Sequence, residues 1–78
     1  MFGIENIYQE KIVRLLINSK RPLSTKQIAM LSHINWVTVR KHLNTLRKNG
    51  IVYRKGMGNK IFWSTDNYKL QEYIGRTY

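Results

Sequence analysis

Two helix starts of the same design dominate this chain. Leu23-Ser24-x-x-Gln27-Ile28 places a serine cap three residues before a glutamine, with apolar residues on either side of the cap. That is a capping box closed by a hydrophobic staple. Ile34 and Val39 bracket Asn35 in the same way, so a second helix start follows soon after the first. Upstream, Ile4, Ile7, Tyr8, Ile12, Leu15 and Leu16 recur at three- and four-residue steps and write the apolar face of an earlier helix, about 4–19. Pro22 stops that helix, because proline cannot continue one and forces the preceding residue out of helical geometry. Gly50 suits the left-handed position after the third helix, with Ile51 folding back on Leu46. The helix beginning at Ser24 is expected to carry Ile28, Ala29 and Leu31 inward. Punctuation this dense allows only short helices joined by tight turns.

After Gly50 the apolar period changes. Residues 51–55 and 60–64 are rich in β-branched and aromatic side chains, and Gly56-Met57-Gly58-Asn59 between them tolerates positive φ. The expectation is a hairpin, followed by a last short helix, about 66–75, capped by Thr65 or Asp66 and carrying Leu70, Tyr73 and Ile74 on one side. The fold class is α+β and mostly helical: three helices, a two-stranded hairpin and a short C-terminal helix. At 78 residues this reads as one domain over 1–78 with a small core, to which Phe62 and Tyr53 or Tyr73 are expected to contribute. A pocket enclosed between two lobes is excluded.

Charge narrows the function. The chain has fourteen Lys and Arg against four Asp and Glu, a formal net charge of +10. All fourteen cations except Lys69 and Arg76 fall between Lys11 and Ser64, where there is no carboxylate. The acids Glu5, Glu10, Asp66 and Glu72 sit toward the two ends. One-sided charge of this kind destabilises a small fold unless a polyanion screens it, and nucleic acid is the leading candidate.

The order of elements and the residues Leu23-Ser24-x-x-x-Ile28-Ala29, Ile34-Asn35-x-x-Thr38-Val39-x-x-His42-Leu43-x-x-Leu46 and Lys48-x-Gly50-Ile51-Val52, with a Gly56-to-Asn59 turn ahead of Ile61-Phe62, carry a resemblance. Over roughly residues 10 to 66 the chain resembles the winged helix-turn-helix domains of small prokaryotic regulators of the MarR and ArsR type. The resemblance implies a helix-turn-helix over about 24–49 and a wing over about 51–64. The third helix would enter the major groove, and the wing would lie along the backbone or in the adjacent minor groove. The cysteine metal sensors of some ArsR-type proteins have no counterpart, since the chain has no cysteine.

The periodicity of the third helix points to the same use. Trp36, Val39, Leu43 and Leu46 step by three, four and three and are placed toward the core, although Trp36 lies at the edge of the stripe, where partial core packing and a groove contact are both open to it. The opposite face is centred on Val37, Lys41, Asn44 and Lys48, flanked by Thr38, Arg40 and Thr45. Arg40 and Lys41 suit guanine edges, Asn44 suits adenine, and Val37 or the Thr38 methyl suits a thymine methyl. On the wing, Arg54, Lys55, Asn59 and Lys60 read as a phosphate clamp, with protection of an exposed hairpin edge as the plainer explanation. Lys26 and Thr25, at the start of the second helix, are placed for a phosphate contact. His42 reads as a packed, hydrogen-bonded histidine.

The terminal helices hold more apolar surface than one small core needs: Phe2, Ile4, Ile7, Tyr8, Tyr73, Ile74 and Tyr78. Together with the acids, these ends suit a homodimer whose recognition helices lie about one DNA turn apart. The expected activity is sequence-specific binding of double-stranded DNA in transcription regulation. Low-specificity architectural binding and a protein–protein winged-helix module are the alternatives. No nucleophile–base pair has recognisable spacing, so an enzyme is not expected, nor is a cofactor, a metal, a small-molecule effector or a membrane. A cytoplasmic, nucleoid-associated protein of prokaryotic or viral origin fits these features.

Overall fold

The computed structural model describes residues 6–77, and within them the side chains other than those of Met57 and residues 73–77. The elements are α1 (Ile7–Asn18), β1 (Leu23–Ser24), α2 (Thr25–Ser32), α3 (Trp36–Lys48), β2 (Tyr53–Met57), β3 (Lys60–Ser64) and α4 (Asn67–Thr77). Phe2, Ile4 and Tyr78 lie outside the described residues.

Each helix boundary has a local cause. Asn6 caps α1 by accepting from the Tyr8 N–H at 2.7 Å. The capping box of α2 is closed in both directions: Ser24 Oγ accepts from the Gln27 N–H at 3.2 Å, and Gln27 Oε1 accepts from the Ser24 N–H at 2.9 Å. Asn35 Oδ1 accepts from the Val37 N–H at 2.9 Å and opens α3. At the other end of α3, Gly50 takes φ +74°; its N–H donates to the Arg47 carbonyl and that of Ile51 to the Leu46 carbonyl. These two bonds satisfy carbonyls that a helix end otherwise leaves orphaned. Asp66, not Thr65, caps α4, accepting from the Tyr68 N–H at 2.9 Å.

The sheet differs from the expected hairpin in two ways. It has three strands in the order β1-β3-β2, all antiparallel, because Leu23 and Ser24 pair with Trp63 and Phe62. The residue before a helix cap and the cap itself are extended, so their backbone is free to join a ladder. The first hairpin strand also begins two residues later than expected. The Ile51 N–H is already committed to the end of α3, and Val52 is buried in the core, so pairing starts at Tyr53 opposite Ser64. Gly56 then belongs to the strand. Gly58 and Asn59 alone make the turn, with positive φ at Gly58 as in a II′ hairpin.

The core joins Ile12, Val13 and Leu16 of α1 to Leu23, Ile28, Ile34, Val39, Leu43, Leu46, Val52 and Trp63. Both staples are buried in it. Leu31 is exposed, contrary to expectation; Ser32 takes the buried position at the end of α2. Tyr53 is also exposed and leaves the core to Phe62 and Trp63. The helix α4 packs on β2 and β3 and buries Leu70, while Lys69 Nζ donates to the Ser19 carbonyl at 3.2 Å, tying α4 to the turn after α1.

Candidate nucleic-acid interface

Packing Val39, Leu43 and Leu46 inward turns the other side of α3 to solvent. Val37, Arg40, Lys41, Thr45 and Lys48 are exposed there, and Thr38 and Asn44 are half-buried at the margins. Thr45 Oγ1 donates to the Lys41 carbonyl at 3.2 Å, so its proton is held by its own helix and only its lone pairs face outward. Trp36 is not a core residue. Its indole is 47% exposed, and the Arg40 guanidinium carbon stands 5.5 Å from the ring centroid.

Beside α3 lies a cleft of about 520 Å³, which no single element makes. Ser24 to Gln27 form one wall, Trp36 a second, and Asn59 to Phe62 of the wing a third. Thr25, Lys26, Trp36, Asn59 and Lys60, five residues singled out from the sequence, meet here. Gln27 and Ile61 also line the cleft and were not singled out. Gln27 carries a plain capping signature that explained it fully, and nothing local marks Ile61 as a cleft residue. The Thr25 hydroxyl accepts from Trp63 Nε1 at 2.9 Å, which leaves its own proton available to an acceptor in the cleft.

The remaining wing cations do not act as one group. Arg54 and Lys55 are neighbours on a strand and point to opposite faces. Arg54 is exposed, with its guanidinium 5.9 Å from the centroid of Trp63, its cross-strand partner. Lys55 is half-buried and donates to Gln71 Oε1 of α4 at 3.1 Å, so it sits against the last helix.

His42 faces α1 and away from the exposed side of α3. Gln9 Nε2 lies 3.2 Å from its Nδ1, a contact in which the amide donates, since an amide nitrogen cannot accept. The ring stacks on Tyr8 with centroids 5.8 Å apart. Burial, and then the charge of Lys41, push the His42 pKa below its ordinary 6.5. No group of three or more His, Cys, Asp or Glu is placed to hold a metal, and no helix is long and apolar enough to cross a membrane, among the described residues.

A family model described as an HTH domain matches residues 9–59, which is α1 through the tip of the wing. The chain belongs to this helix-turn-helix family. With the hairpin and flanking helices it is a winged helix-turn-helix DNA-binding domain. Solved structures share this fold. Residues 1–100 of a possible transcriptional regulatory protein of Mycobacterium bovis align with a TM-score of 0.73 and 18% identity, covering 94% of this chain and 76% of that one. The reduced form of HlyU from Vibrio cholerae gives 0.69 and 20%, over 94% and 78%. A probable transcriptional regulator of Pseudomonas aeruginosa gives 0.67 and 20%, over 97% and 58%. At such identities the likeness is one of fold. A comparison with curated proteins finds no match. The helix-turn-helix consists of α2, the left-handed turn residue His33 (φ 59°) and α3.

Proposed function

We propose that this chain, as a single winged-helix domain over 1–78, is a sequence-specific transcriptional regulator of double-stranded DNA. Its α3 lies in the major groove and its wing on the backbone or in the minor groove. The observation that carries this is the continuity of two surfaces: the exposed face of α3 runs through Trp36 into a cleft flanked by Lys26 and Lys60. Groove contacts then fall to Val37, Thr38, Arg40, Lys41 and Asn44. Backbone contacts fall to Thr25, Lys26, Lys48, Arg54, Asn59 and Lys60, with Lys55 at the margin, while Thr45, whose outward lone pairs can only accept, suits a base amino group in the groove. The regulatory role is in keeping with the M. bovis and P. aeruginosa proteins, a possible and a probable transcriptional regulator.

The test is selection of bound duplexes from a random library, followed by single replacement of Arg40, Lys41 and Asn44. Replacing a base reader removes the preference at one position, and replacing a phosphate contact weakens all sequences alike. No enriched sequence would favour the second reading, a low-specificity architectural protein on the nucleoid, which the +10 charge supports.

The regulator is proposed to act as a homodimer through its terminal helices. Ile7 is 77% exposed and Tyr8 47% exposed on α1, apolar surface that the core of one copy leaves uncovered. Tyr73 and Ile74 belong to α4, whose side chains there are not described. Sedimentation as a strict monomer at about 50 µM would remove the dimer, because paired recognition helices need a two-fold assembly.

A further inference from the structure

Trp36 is the first residue of α3, and Arg40 follows one turn later on the same side. The indole is about half exposed and takes no part in the buried cluster, so core packing does not account for it. What it does contact is the Arg40 guanidinium, 5.5 Å from its ring centroid. No carboxylate occurs in the sequence between Glu10 and Asp66, so no neighbouring acid along the chain competes for that guanidinium.

A long side chain on a helix surface samples many rotamers and loses that freedom when it binds. A guanidinium resting on an aromatic surface has lost part of it beforehand. A guanidinium held over an aromatic ring by cation–π attraction keeps N–H donors on its far side, directed away from the ring. A guanine presents O6 and N7 as two acceptors in one plane in the major groove, and a preset pair of donors fits them.

We propose that Trp36 is a positioning residue that presets Arg40 for bidentate recognition of a guanine, and so sets base preference at one position of the DNA site. This rests on the regulator reading above.

The experiment is competition binding to duplexes carrying each of the four bases at every position of the selected site, with wild type, R40Q, W36L and W36F. Preferences are ratios within one variant, so any loss of active protein cancels. R40Q is expected to flatten a guanine preference at one position. W36L should lower that same preference about two- to five-fold, the range for a cation–π contact at an exposed site, and leave other positions unchanged. W36F, which keeps an aromatic face, should retain most of it. A W36L protein with the preference intact, or one weakened equally toward all four bases, overturns the positioning role. So does an R40Q protein with every preference unchanged, even while a wild type selective elsewhere leaves the regulator reading standing. A wild type without preference at any position defeats the regulator reading itself and the inference with it.

Discussion

Trp63 Nε1 donates to Thr25 Oγ1 at 2.9 Å, joining the inner strand of the wing to the first residue of α2. Trp63 is only 2% exposed, so without Thr25 its N–H has little access to a replacement partner. The same residue pairs with Leu23 on one side and Arg54 on the other, which makes it the point where wing and helix-turn-helix are held in one geometry. Replacing Thr25 with valine keeps the shape and removes the acceptor. The expected loss is about 1–3 kcal/mol, the cost of a buried donor left unpaired. T25S keeps an oxygen and should lose less than half as much. Urea unfolding of the three proteins measures both, and equal stability of T25V and wild type would show that the bond contributes nothing.

Gly50 predicts a backbone effect free of packing. A Cβ added there would meet nothing within 4 Å, yet φ is +74°. G50A should therefore cost about 1–2 kcal/mol through left-handed strain alone. G50N, a residue more at ease in that region, should cost less than G50A. The order of the three unfolding midpoints is the test.

His42 predicts a pH response. Its pKa is lowered in the folded state, so between that value and the ordinary 6.5 the unfolded chain binds more protons. Stability is thus fully present above 6.5 and declines as pH falls through that window. Protonation also sets a second donor against the Gln9 amide. Lowering pH from about 7.5 to about 5.5, still above the carboxylate range, should reduce the urea midpoint of wild type. H42Q should show a smaller drop over the same interval, and an identical drop would assign the response to other groups.

Lys26 of α2 and Lys60 of the wing both line the cleft. If each neutralises a phosphate, K26Q and K60Q should each make the log–log salt dependence of DNA binding shallower by about 0.9. Both should weaken all duplex sequences alike. Titrations at several salt concentrations measure this, and slopes equal to wild type would place both ammonium groups away from the DNA.

Much of the architecture was legible because its causes are local. The partners of Ser24, Asn35 and Gly50 lie within a few residues of them, so short-range stereochemistry is enough to place the ends of α2 and α3. Features that depend on distant partners were not. A two-residue strand such as β1 has no period to recognise, and its identity comes from pairing with residues around 63. Leu31 was misplaced because an eight-residue helix shows too few turns to define its buried face. The later start of β2 was hidden because Ile51 and Val52 have strand chemistry but are used by the end of α3 and by the core.

The site divides along the same line. Which residue types face outward from α3 follows from helical periodicity, and the acid-free basic stretch follows from composition, so the candidate DNA-binding surface was readable from the chain alone. The meeting of α2, Trp36 and the wing tip in one cleft, the placement of the Arg40 guanidinium over Trp36 and the diversion of Lys55 to Gln71 were decided by tertiary packing. The cleft and the Lys55–Gln71 bond join segments far apart in the chain, and their relative positions are set only when the shared core closes beneath them. Even the Trp36–Arg40 pair, one helical turn apart, became visible only once that core had formed without Trp36 and left its indole at the surface.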